Sequence, residues 1–143
     1  MKLFAIVFSL VSTSLILTAS AQEPLPAKGI HFFEGTFKEA ALKAKAENKH
    51  LFLDAYASWC VPCKTMEAEV YADSVVGNYF NEKFVAIKID MEKGEGPALA
   101  IRFTSIDGYP SLLFFDQQVH LNKTILGSRK KEDFLAEARL VAK

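Results

Sequence analysis

The 143-residue sequence lacks most of the features that would announce a partner by charge or metal chemistry. Its 17 lysines and arginines balance 17 aspartates and glutamates, so no basic excess recommends a nucleic-acid backbone and no acidic excess suggests a solvating tail. There are two cysteines and three histidines. A structural zinc site takes about four ligands, and His31, His50 and His120 are scattered over different predicted elements. Lys64 rather than histidine follows Cys63, which argues against haem attachment. No nucleotide-binding loop, carboxylate pair or metal array marks another enzyme class, and there is no internal repeat or low-complexity tract. What is abundant is apolar: half the residues are hydrophobic and 12% aromatic, which excludes disorder, collagen and simple linkers. The length suits one domain and is short for two.

Long hydrophobic runs are also wanting. The stretch Leu3 to Leu17 follows Met1 and Lys2, is interrupted by Ser9, Ser12, Thr13 and Ser14, and falls short of the roughly 18 residues of a spanning helix. With Ala19-Ser20-Ala21 behind it, it reads as an export signal over residues 1–21, the mature chain starting at Gln22. A retained anchor is the alternative. No cysteine lies close behind the stretch for acyl anchoring. Pro24, Pro26 and Gly29 make residues 22–29 a flexible lead-in to a single domain over 30–143. Export places the chain in the periplasm or outside the cell, where disulfides persist.

Ile30 to Phe33 predicts a short first strand. Thr36 and Glu39 fit a capping box, opening a helix with Phe37, Ala40, Ala41 and Ala44 on one side, a Glu39–Lys43 pair and an end near Asn48. Leu51–Ala57 and Phe84–Asp90 read as central strands, apolar on both faces. Between them Cys63, Met66, Glu67 and Val70 share one side of a helix, and Asp73 caps another. Pro97 starts a helix to about Phe103. Ser111–Phe115 and about Lys123–Leu126 are strands joined by a turn, and a last helix runs from about Lys130. The class is α/β, with a central sheet covered by helices on both faces.

The most informative feature is Trp59-Cys60-Val61-Pro62-Cys63-Lys64, where a strand ends and a helix begins. Thiol chemistry needs a thiolate, and a helix N-terminus stabilises one with its open amides and positive dipole end. Cys60 is expected there as an exposed attacking group, with Cys63 one turn inside as the resolving group. The three-residue spacing brings the sulfurs close enough to cycle between dithiol and disulfide. Structural disulfides usually close longer loops, so redox exchange leads, with zinc and an inert disulfide as rivals.

With Asp54 to Lys64, Gly108-Tyr109-Pro110-Ser111-Leu112 and Gly127, the chain from about residue 32 onward resembles the thioredoxin superfamily, and within it exported bacterial thioredoxin-like proteins. The resemblance implies a thioredoxin-like fold with a mixed sheet and a thiol-disulfide oxidoreductase acting on protein disulfides, with no dissociable cofactor. It also implies a cis Tyr109–Pro110 bond facing the cysteines, where the residues alone give a turn and leave the isomer open, and makes Tyr109 a candidate substrate contact.

Asp54 interrupts an apolar strand, where an unpaired carboxylate is costly. The matching aspartate of the family helps deprotonate the resolving cysteine, and burial would raise its pKa. Lys88, the odd residue of Val85-Ala86-Ile87-Lys88-Ile89, matches a lysine near that aspartate and would tune it; otherwise its stem packs and its ammonium reaches solvent. Trp59 would support the turn and present apolar area. Lys64 adds positive charge near the thiols, which Glu67 and Glu69 oppose. Pro62, with no histidine between the cysteines, resembles the reducing branch of the family and favours a reductase or isomerase recharged by a membrane or periplasmic donor; a monomer is expected. The alternative is a binding module that uses the same platform without turnover.

Overall fold

The computed structural model describes residues 28–143; the expected leader over 1–21 and most of the lead-in lie outside the described residues. Helix α1, Phe37–Ala46, starts as its sequence predicts. Thr36 accepts the Glu39 backbone N–H, and the Glu39 carboxylate accepts the Thr36 N–H at 2.8 Å. That engagement corrects the expected Glu39–Lys43 pair, since Lys43 turns one helical turn the other way, to Glu47. Strand β1, His50–Tyr56, follows.

Helix α2, Val61–Met66, runs directly into a π-helical turn over Glu67–Tyr71. Asp73 then caps helix α3, Ser74–Lys83, accepting the Val75 and Val76 N–H groups. The later elements are β2, Phe84–Asp90; α4, Gly96–Arg102; β3, Ser111–Phe115; β4, Leu121–Leu126; and α5, Lys131–Val141. Strands β2 and β3 have their predicted bounds.

The sheet order is β2-β1-β3-β4. β1 lies parallel to β2 and antiparallel to β3, which is antiparallel to β4. The expected strand at Ile30–Phe33 shrinks to one parallel bridge between Phe32 and Ala86. Its backbone donors go elsewhere: Ile30 N–H to the Tyr71 carbonyl at 2.8 Å, and His31 N–H to the Asn81 side chain at 2.8 Å. Gly77 permits this docking, because a Cβ there would stand 2.2 Å from Gly29 backbone.

Successive residues of a strand point to opposite faces. Leu51, Leu53 and Ala55 join Val85, Ile87 and Leu113 in a core with α1 and α4. Phe52 joins Ala86, Leu112 and Phe114 in a second core, beneath Met66, Val70, Tyr71, Phe80 and Phe134. There Phe80 and Phe134 stack at 4.7 Å, a pair worth about 1 kcal/mol beyond the area it buries. By the same parity Asp54 and its register partner Lys88 fall on the second face, the one covered by α2 and the π-turn.

Candidate active site

Cys60 and Cys63 form a disulfide with Cα atoms 5.4 Å apart. Cys60 is the N-cap of α2, and its sulfur accepts the Cys63 N–H at 3.2 Å. Pro62 lies in the first turn, where a missing N–H costs no intrahelical bond. Cys60 is 1% exposed and Cys63 5%, which corrects the expectation of an exposed attacking cysteine in this oxidised form. Ala57 closes over the pair, with Tyr56 and Tyr109 packed against it.

The surface beside the disulfide is apolar and fixed. Trp59 is 64% exposed and Val61 is exposed next to it. The Trp59 indole N–H donates to both Glu92 carboxylate oxygens at 3.0 Å, and its ring meets Tyr109 edge-on with centroids 5.9 Å apart. The Tyr109–Pro110 bond is cis, as the resemblance implies, and the Ser111 hydroxyl donates to the Gly108 carbonyl at 2.7 Å across that turn. The loop after β2 folds back onto the same turn: Lys93 reaches the Ser58 hydroxyl at 3.2 Å and Asp90 at 3.3 Å. Glu92 and Lys93 carried no signal in the sequence, because their role depends on that fold-back.

Asp54 is 1% exposed, and neither carboxyl oxygen makes an aligned hydrogen bond within the protein. Burial pushes its pKa up to about 7; the Lys88 ammonium and the Tyr71 hydroxyl pull it down, and Glu67 pushes it further up. Lys88 does not bond Asp54 directly. Its ammonium donates to Glu67 at 2.6 Å and lies over the rings of Tyr56 and Phe32, 5.1 and 5.5 Å from their centroids. The Lys88 side chain is mostly buried, with its ammonium on Glu67 near the surface and its charge acting to lower the Asp54 pKa. Glu67 itself is exposed rather than on the buried side of its helix.

Tyr71 is the residue that sequence periodicity missed. Met66 and Val70 are four apart, as in an α-helix, and the π-turn brings Tyr71 into the core beside them. The three histidines stay apart: His31 is on the docked segment, His50 begins β1, and His120 pairs with Asp116 in the β3–β4 turn. Lys64 is exposed on α2.

A disulfide capping a helix, opposite a cis-proline loop and on the same sheet as a buried carboxyl, defines a class of α/β redox proteins. The chain belongs to one such family, whose model, described as Thioredoxin-like, matches residues 33–117. Thiol:disulfide interchange protein DsbD of Haemophilus influenzae (strain PittGG) is 38% identical over 116 residues, covering 78% of this chain and 19% of that protein. The chain thus spans about a fifth of the length of the curated relatives it matches. Among solved structures, a protein of Bacteroides thetaiotaomicron provisionally assigned as a disulphide isomerase is 38% identical, with a TM-score of 0.71, over 82% of this chain and 96% of its own. The reduced C-terminal domain of Neisseria meningitidis DsbD is 27% identical, with a TM-score of 0.57, over 72% and 96%. With its Cys60–Cys63 pair, this chain carries the dithiol/disulfide couple at the place in the fold that this thioredoxin-like family provides for it.

Proposed function

We propose that the chain reduces or isomerises disulfides of exported proteins, with Cys60 attacking, Cys63 resolving and Asp54 accepting the resolving proton. The observation that carries this reading is the Cys60–Cys63 pair at a helix start, with Asp54 buried on the sheet face that this helix covers and its pKa pushed up by that burial. In the dithiol form, the Cys60 thiolate attacks one sulfur of a client disulfide. A mixed disulfide forms, and the other client sulfur leaves as a thiolate that takes a proton from solvent. Asp54 carboxylate then takes the Cys63 proton. The Cys63 thiolate attacks Cys60, which breaks the bond to the client and leaves the enzyme oxidised by two electrons and the client reduced.

Trp59, Val61 and the Tyr109-Pro110 loop would hold extended client backbone beside Cys60. Lys88 would keep Asp54 low enough to ionise in the working range. A membrane or periplasmic dithiol donor would restore the reduced pair. The relatives' name, thiol:disulfide interchange protein, supports exchange with such partners. The leader over 1–21, the lead-in over 22–29, the domain over 30–143 and a monomeric, periplasmic or secreted product complete the reading. No helix among the described residues is long and apolar enough to cross a membrane.

Two cysteine variants and the wild-type chain, with two readouts, test this. Cys63→Ser should accumulate mixed disulfides with client proteins and Cys60→Ser should not; equal trapping would reverse the attack order. Equilibration of the wild-type pair with a glutathione buffer should leave it more reducing than glutathione. A pair reduced by that buffer would make the chain an oxidant instead.

A further inference from the structure

We infer that Tyr71 is a positioning residue whose hydroxyl holds Asp54 in its carboxylate form, ready to receive the Cys63 proton. The inference rests on the reading of Asp54 as that acceptor, and it adds a residue on a different element. The ring of Tyr71 is clamped in an aromatic cage, edge-on to Phe32 at 5.3 Å and Phe52 at 6.3 Å and tilted against Phe134 at 5.6 Å. Its backbone carbonyl is tied to Ile30 N–H. Phenylalanine would fill this cage equally well, so packing does not explain the oxygen.

The hydroxyl is buried with no hydrogen-bond partner, and so are both oxygens of Asp54. Each costs free energy in that condition. The two groups are nevertheless close enough for the hydroxyl to lower the Asp54 pKa. Burial, then the charge of Asp54, pushes the Tyr71 pKa up; it stays protonated, and toward a carboxylate it can only donate. Rotation of the hydroxyl or the carboxyl as Asp54 ionises would bring donor to acceptor. Transfer of the Cys63 proton would relax it again.

The groups facing this carboxyl come from every element packed there. Lys88 on β2 and Glu67 on the π-turn are its charged neighbours, already paired with each other. Tyr71 is on the same π-turn, four residues past Glu67. The β3 partner, Leu112, is apolar. Lys88 lowers the Asp54 pKa more than Glu67 raises it, and Tyr71 adds a neutral donor to that pull.

The test compares the full wild-type chain with Tyr71→Phe, Asp54→Asn and the double variant. The carboxyl carbon of Asp54 is titrated by 13C NMR in the oxidised proteins. The rate of Cys63 resolution is followed against pH from a mixed disulfide preformed on Cys60. In Tyr71→Phe the Asp54 titration should move up by about one pH unit, the scale of one lost bond to a charged group. The acid limb of the resolution profile should follow it, with an unchanged plateau at high pH and unchanged client affinity. Tyr71→Phe should add nothing to Asp54→Asn. An unmoved Asp54 titration, or a lowered plateau with an unmoved limb, overturns the positioning role. A moved titration beside an Asp54→Asn profile identical to wild type overturns Asp54 as acceptor, and with it the place of Tyr71 in the reaction.

Discussion

The two faces of the sheet are built from alternate residues of the same strands and have opposite characters. The face under α1 and α4 takes Leu53 from β1 and Ile87 from β2 and is apolar along its length. The face under α2, α3 and α5 is richer in aromatic rings, yet it carries Asp54 and Lys88 at adjacent register positions, two residues beyond Phe52 and Ala86. One residue's step along a strand thus separates packing from chemistry. The contrast teaches that the costly groups are confined to the face that the cysteine helix covers, toward the end of β1 that leads to Cys60.

The contrast can be broken first at Leu53. Leu53→Ala should cost about 2–5 kcal/mol of folding stability, as large-to-small core changes do, while the resolution rate constant of the folded fraction stays as in wild type. Denaturant unfolding beside single-turnover kinetics checks both halves. A resolution rate that falls with stability would mean that the two faces are not independent.

Asp54→Asn should do the reverse. With a folded pKa of about 7 against an unfolded value of about 3.9, the folded protein binds the Asp54 proton more tightly than the unfolded chain. This contribution to stability is present below about pH 4, is lost as pH rises to about 7, and levels off above. Asp54→Asn should lack that loss, so the variant gains on wild type as pH rises through the window. Its resolution should be slower at pH 7, roughly tenfold on the scale of general-base effects below their full range, and should recover as alkali supplies thiolate directly. Unfolding curves at several pH values measure the first effect, and quenched-flow resolution the second.

The smallest change sharpens the contrast at its charged edge. Glu67 raises the Asp54 pKa and engages the Lys88 ammonium. Glu67→Gln should therefore lower the Asp54 titration by roughly a few tenths of a pH unit, the size expected of a solvent-screened neighbour, with little change in stability. An upward movement would mean that the Glu67 pairing, rather than its negative charge, dominates at Asp54.

Much of the scaffold was legible because its signals are local. Thr36 with Glu39, Asp73 ahead of Val76, and the apolar run Phe84–Asp90 each specify their element within a few residues. Cys60, Cys63 and Asp54 stood out by residue type in an environment that would otherwise exclude them. What could not be read depends on distant backbone. The segment at Ile30 fails to become a strand because the Tyr71 carbonyl and Asn81 capture its N–H groups. Tyr71 reaches the core only because the helix widens into a π-turn, which changes the period by which buried positions are counted. Cys60 is packed in a cluster that Tyr109 joins from nearly fifty residues further along the chain.

Trp59 is the chain's one tryptophan, and it directly precedes the cysteine that opens and closes the disulfide. Its indole is held at one end by Glu92 and faces Tyr109 across the cis-proline loop. All indole emission from this protein therefore originates beside the bond whose state matters, with no second fluorophore of its kind to dilute the signal. A disulfide accepts electrons from an excited indole and a dithiol does so poorly, so the protein carries a built-in optical gauge of its own oxidation, readable in the unmodified chain.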